Sequence, residues 1–370
     1  MRFILPMVLS FAAYAIADCE CGYSSSIGDS VIPYIFTDLI ESDFLHISNI
    51  TLDTDWRPQQ FNVSAAAGRG SYGMNYSIEQ VASNPILDES IWSGIGKFGA
   101  DPGVQLTVDG GDPANGFVQT AEMDSAREDL LWGTYRAALK LTLTPGTCSA
   151  FFWYFNDSQE IDMEFLSSQF NVDNNTFPVN LVLQSVESVQ AGYNAAVTGN
   201  YVVANLPFNP ATGYHEYRID FIPGNVIFYA DGKILAKMNS TAVPTSPGHM
   251  ILTQWSNGNS LWSSGPPSQD AVISVSYVKA YFNSSDPMRE TALTKRCKDP
   301  SAANAICAIP DQTLAPNGNV SASTYFFSDE KNQTNNQTVY KKSGATTAKT
   351  MGPLSSISLM VLLSVIVILL

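Results

Sequence analysis

Positive charge is scarce in this 370-residue chain: 19 lysines and arginines stand against 34 aspartates and glutamates, a net charge of −15. Phosphate backbones and anionic lipid surfaces attract the opposite balance, so nucleic acid is excluded as an expected partner and a neutral polymer fits better. Histidine is scarcer still. His46, His215 and His249 are scattered and none belongs to a Cys/His group of zinc spacing, so neither a metal nor another cofactor is expected. Helical periodicity and internal repeats are almost missing, and long apolar runs occur only at the two ends. Cysteine is limited to five residues. In an oxidising compartment Cys19, Cys21, Cys297 and Cys307 are candidates to pair, in any of three connectivities. Cys148 is then the odd one; it precedes a strongly apolar run and reads as an inert buried thiol.

The ends carry addresses. Arg2, an apolar run over 3–16 and the small-x-small triplet Ala15, Ile16, Ala17 read as a secretory signal over residues 1–17. Ten Asn-x-Ser/Thr acceptors, among them Asn156, Asn332 and Asn336, agree with export as a glycoprotein. At the other end Ser343, Gly344 and Ala345 precede a polar spacer and an apolar tail over 354–370 with no basic residue after it. This is the pattern of a glycosylphosphatidylinositol signal, with Ser343 as the anchor site and 344–370 removed. The expected location is the outer face of the plasma membrane or the cell wall, with the lipid as the only membrane contact. Between the signals, 18–286 reads as one domain, 287–311 as a Cys-containing extension and 312–343 as a Ser/Thr/Asn-rich disordered stalk too poor in apolar residues to fold.

Within the domain the local signal is strand. The runs 134–143, 150–155, 160–166, 179–186, 215–222, 226–229, 250–255 and 271–282 are rich in aromatic and β-branched residues and are broken by Pro, Gly and Asn. Many short strands predict an all-β sandwich of two antiparallel sheets. Turns at 156–159, at Pro223, Gly224, Asn225 and at Asp231, Gly232 place hairpins around them.

One strand has two opposed faces. Glu160, Asp162 and Glu164 share one side and Ile161, Met163 and Phe165 the other, because side chains alternate along a strand. The same alternation describes any half-exposed strand with a solvated face. Three carboxylates held together raise one another's pKa, however, and glycoside hydrolysis needs two carboxyls in different protonation states. A later segment, 252–262, carries Trp255 and Trp262 around a loop rich in Gly and Asn that includes Asn257; aromatic faces of this kind stack on the C–H faces of sugar rings.

The Glu160-Ile161-Asp162-Met163-Glu164-Phe165 run, the strand from His215 with its Asp231, Gly232 turn, and the paired tryptophans resemble glycoside hydrolase family 16, in its branch of secreted fungal β-glucanases. The resemblance covers about residues 20–285. It implies a β-jelly roll with a concave substrate cleft, with Glu160 as nucleophile, Glu164 as acid/base, Asp162 tuning the nucleophile, and Trp255, Trp262 and Asn257 binding substrate. It also implies a monomeric retaining endo-β-glucanase acting on β-1,3 or β-1,4 bonds of neutral cell-wall glucan, without cofactor. A glucan transglycosylase on the same scaffold and a non-catalytic glucan-binding surface protein are the alternatives. Two departures stand out: the loop 156–159 lacks the tryptophan that many members carry there, and the acidic strand lacks the extra residue of the bulged branch.

Overall fold

The structure, a computed structural model, describes residues 19–313. Two sheets pack face to face. The first has nine strands and runs, from edge to edge, Tyr201–Asn205, Pro178–Gln184, Gln159–Leu166, Cys148–Asn156, His249–Trp255, Phe117–Ser125, Gly73–Tyr76 and Phe61–Val63, with Trp56–Pro58 also pairing Phe117–Ser125. The second has eight: Lys233–Met238, Asn225–Ala230, His215–Ile222, Leu130–Lys140, Ala271–Ser284, Gly103–Val108 and Val81–Asn84, with Asp38–Asp43 pairing Ala271–Ser284. This is the expected β-sandwich, and its pairing is antiparallel except where Gly73–Tyr76 lies parallel to Phe117–Ser125.

Alternation explains the core. Ile161, Met163 and Phe165 from the first sheet and Tyr217, Ile219 and Phe221 from the second are buried in one cluster. Phe165 meets Tyr217 edge to face with ring centroids 4.7 Å apart, and Trp153 meets Phe221 at 4.9 Å. Such aromatic pairs add about 0.5–1.5 kcal/mol each beyond their burial.

The expected hairpins form. Asp231 and Gly232 both have positive φ, 45° and 71°, between the paired residues Ala230 and Lys233. That is the two-residue turn whose twist suits adjoining strands, and Asp-Gly is its favoured pair. The strands before residue 130 were not anticipated, because most of them are three to six residues long and offer too few alternations to read. The helix Pro287–Arg296 was likewise missed; Asp286 caps it by accepting from the Met288 N–H, and Pro287 starts it.

A third sheet, of three strands, joins the two ends of the described chain: Tyr34–Phe36, Gly22–Ser25 and Ile306–Ala308, the last two parallel. Disulfides pin it, Cys19 to Cys307 and Cys21 to Cys297, which selects one of the three connectivities left open by the sequence. Cys148 is free and buried. This small sheet covers charged side chains on the outer face of the eight-stranded sheet. Arg136 donates to the Pro310 carbonyl and the Ser25 hydroxyl, and Arg218 to Ser25, the Ser26 carbonyl and Asp311. Gln312, which composition assigns to the stalk, is buried too. The expected leader, most of the expected stalk, Ser343 and the apolar tail lie outside the described residues.

Candidate active site

The acidic strand Gln159–Leu166 sits inside the nine-stranded sheet between Pro178–Gln184 and Cys148–Asn156. Its register fixes three rows across the concave face. Glu160 lies opposite Gln184 and Tyr154, Asp162 opposite Val182 and Phe152, and Glu164 opposite Asn180 and Ala150. The next strand continues the rows with His249, Ile251 and Thr253, and Phe117–Ser125 adds Asp124 beside Ile251 and Glu122 beside Thr253. With Trp255 and Trp262 these residues, the buried Asn180 excepted, line a cleft of about 660 Å³ in which Glu160, Asp162 and Glu164 are brought together.

The three carboxyls are poorly solvated and lack a close counter-ion. None makes an ion pair within 4.0 Å among the described residues. The cation that acts on Glu160 and Glu164 is Arg69, from a loop on the far bank. Burial pushes Glu160 up to about 8; the hydrogen bond from Asp162 opposes the rise and the charge of Glu164 adds to it. Burial raises Asp162 furthest above the ordinary range, with the charges of both glutamates adding, so Asp162 holds a proton and donates it toward Glu160. Burial also raises Glu164, against hydrogen bonds from Trp262 and Cys148. The trio titrates as a unit. It retains protons at neutral pH, when isolated carboxyls would have lost theirs.

Two donors hold Glu164. The Trp262 Nε1–H is 3.0 Å from its Oε1, and the Cys148 thiol is 3.4 Å from the same oxygen. Burial and the charge of Glu164 push the Cys148 thiol well up, so it remains an un-ionised donor. Its inertness was legible in the sequence; its contact with Glu164 was not.

Asn257 requires a correction. It is 1% exposed and lies beneath the cleft, where its Nδ2 donates to the Gly68 carbonyl at 2.6 Å and its Oδ1 accepts from Ser263 and the Asn259 N–H. With its side-chain groups committed to shaping the loop, it offers nothing to a substrate. Asn259, two residues on, lines the cleft in its place.

Several lining residues escaped the sequence reading. Glu122 and Asp124 repeat the acidic alternation, with Ala121 and Met123 buried in the core, in the run Ala121, Glu122, Met123, Asp124. Burial raises Glu122 well above its ordinary value, with repulsion from Asp124 and Glu160; burial and Glu128 push Asp124 up to about 7. Tyr193 and Tyr154 both donate to Asp157 in the hairpin before Glu160, at 2.6 and 2.8 Å. They put aromatic rings beside the loop 156–159, which itself carries none.

The profile of Glycosyl hydrolases family 16 matches residues 90–275, half of the chain, and this span carries the whole acidic strand and both tryptophans. The chain belongs to this family. Among family 16 relatives, a beta-glucanase of Paenibacillus polymyxa is 29% identical over 149 residues, which are 39% of this chain and 55% of that one. Crh-like protein 3 of Botryotinia fuckeliana is 24% identical over 144 residues, 36% of this chain and 29% of the relative. The first-named relatives are thus spanned over about half their length. The solved beta-glucanase of Bacillus licheniformis superposes with a TM-score of 0.46 at 18% identity, covering 66% of this chain and 97% of its own.

Proposed function

We propose that this protein is a retaining glycoside hydrolase that cleaves neutral β-glucan by double displacement, with Glu160 as nucleophile and Glu164 as acid/base. The observation that carries the reading is the row of three carboxyls, desolvated and without an ion-pair partner, on the floor of a cleft walled by aromatic rings. In the first step Glu160, ionised while Asp162 and Glu164 hold the protons of the coupled trio, attacks the anomeric carbon while Glu164 gives its proton to the departing glycosidic oxygen, leaving a glycosyl ester on Glu160. In the second, Glu164, now a carboxylate, takes a proton from water as the water oxygen displaces Glu160. Asp162, donating to Glu160, stabilises it as a carboxylate and as a leaving group. Trp262 orients Glu164 by its N–H and presents its ring to the sugar.

The same ester can be opened by a sugar hydroxyl in place of water, which makes a transglycosylase, and this is the second reading. Purified protein given defined β-1,3, β-1,4 and mixed-linkage oligosaccharides decides between them. Shorter products only indicate hydrolysis, and products longer than the substrate indicate transfer. A protein that binds the oligosaccharides without altering any of them is a glucan-binding protein, and the catalytic reading is then wrong. We further propose that the mature protein is held on the outer cell surface by a lipid at Ser343. Phosphatidylinositol-specific phospholipase should release it; a membrane-retained protein that still carries residues 354–370 by mass spectrometry would refute the anchor.

A further inference from the structure

Two loops from opposite sides of the nine-stranded sheet meet over the acidic cleft. One, at 64–72, joins the edge strand Phe61–Val63 to Gly73–Tyr76; the other, at 185–200, joins Pro178–Gln184 to Tyr201–Asn205. Four strands separate Pro178–Gln184 from Gly73–Tyr76 in the sheet, a span of about 24 Å if the sheet were flat. Across that span the Arg69 guanidinium donates to the Gly192 carbonyl at 2.9 Å and stacks on the Tyr193 ring, 4.3 Å from its centroid.

The bridge is built on both banks. Arg69 ends the short helix Ala65–Gly68 and has φ 56°, while Tyr193 has φ 64°. The left-handed region is uncommon for non-glycine residues, and at a residue as bulky as tyrosine it marks strain that the surroundings must impose. The surroundings are present. The Arg69 loop is tied to the tryptophan loop by Tyr72 N–H to the Asn257 carbonyl, Asn257 Nδ2 to the Gly68 carbonyl and Ser71 to the Gly258 carbonyl. A side chain at Gly70 would meet the Asn257 carbonyl oxygen at 2.2 Å, so the two loops touch backbone to backbone. Tyr193 is fixed by its hydroxyl, which donates to Asp157 three residues before Glu160.

We infer that Arg69 and Tyr193 are specificity-determining residues that bridge the cleft beside Glu160 and admit unbranched glucan in preference to chains carrying side branches. This rests on the glucanase reading above. A branch point is wider than the backbone on which it sits, so a closed span excludes it while a bare chain passes beneath. Opening the span to admit a branch forfeits the guanidinium–ring contact and the hydrogen bond to Gly192.

The test compares kcat/KM on a linear β-glucan oligosaccharide with that on the same backbone carrying single-glucose branches, for wild type, Arg69→Ala and Tyr193→Ala. Arg69 is exposed and Tyr193 partly so, and the two substitutions break the bridge from opposite banks. Removing Arg69 also removes a positive charge that acts on Glu160 and Glu164, but that loss applies to both substrates and cancels in the ratio. Wild type should favour the linear substrate, and each variant should raise the branched-to-linear ratio about five- to tenfold, the size expected for one exposed cation–π contact together with one hydrogen bond. An active wild type whose ratio stays within about twofold in both variants, against that expectation, overturns the bridge as a selector. A wild type inactive on every β-glucan overturns the glucanase reading and the bridge's role with it.

Discussion

Two strands of this protein have nearly the same pattern and opposite fates. Gln159–Leu166 carries Glu160, Asp162 and Glu164 on one face, and His215–Ile222 carries Glu216, Arg218 and Asp220 on one face. Their apolar faces even touch, Phe165 against Tyr217. The difference is what stands among the acids. Around Glu216, Lys279 lies at 3.3 Å, Arg136 at 3.9 Å, and Tyr277 donates at 2.7 Å; around Asp220, Arg218 closes at 2.6 Å. Burial works against the ionised form of Glu216, but Lys279, Arg136, the Tyr277 hydrogen bond and Arg218 together outweigh it and hold its pKa below the ordinary value. Glu160 and Glu164 are desolvated, with no ion pair within 4.0 Å among the described residues and the Arg69 charge acting on them from across a cleft, and both are raised. Buried acid is therefore structural where cations interleave it and available for proton transfer where they do not.

Substitutions can break this comparison, and beside the loss of the nucleophile the largest effect belongs to the acid/base. Glu164→Ala should lose about 10²–10⁴ in kcat/KM on glucan. It should keep much of the first step on an aryl glycoside whose leaving group needs no proton. Equal losses on both substrates would remove the acid role from Glu164. On the paired side, Glu216→Ala removes the acid that Lys279 and Arg136 share, and should cost about 3–5 kcal/mol of stability. Chemical denaturation reads this, and a cost below about 1 kcal/mol would mean that the outer charge layer is solvated.

The two strands should also respond to pH with opposite sign. Glu160 has a folded pKa raised from 4.5 to about 8, so its contribution to stability is fully present below 4.5 and is lost as pH rises through about 8. Glu160→Gln should therefore stabilise the protein at pH 9 by on the order of 1 kcal/mol, and not at pH 4. Glu216 has a lowered folded pKa, so its contribution is present above 4.5 and is lost as pH falls through that lower value. Thermal unfolding of Glu160→Gln at both pH values checks the first claim; a gain that does not grow with pH contradicts it. The smallest effect is expected at Asp162. Asp162→Asn keeps a donor to Glu160 and should lower kcat by about tenfold, less than either glutamate substitution. A loss as deep as that of Glu164→Ala would make Asp162 more than a tuning residue.

Much of the sandwich was legible because its longer strands alternate cleanly. The acidic strand was legible because Glu160, Asp162 and Glu164 crowd one face of a strand whose other face is wholly apolar, a costly arrangement that chemistry can use. What escaped depends on contacts distant in sequence. Glu122 and Asp124 join the site only through a register three strands away from Gln159–Leu166. Asn257 reads as a sugar ligand until Gly68, 189 residues away, takes its amide. Arg69 and Tyr193 carry no local motif at all. The disulfide pairing could not be chosen from spacing, since the decision belongs to the parallel pairing of Gly22–Ser25 with Ile306–Ala308.

The claim that the unpaired strand is catalytic is tested most directly by Glu160→Ala assayed with and without azide on an activated β-glucoside substrate of suitable chain length. The account predicts loss of turnover by at least about three orders of magnitude and partial recovery with azide. The recovered product should be a glycosyl azide of inverted anomeric configuration, because azide attacks where the carboxylate would have. Full activity in Glu160→Ala, or a recovered product of retained configuration, would contradict it and return the strand to the role of a solvated face.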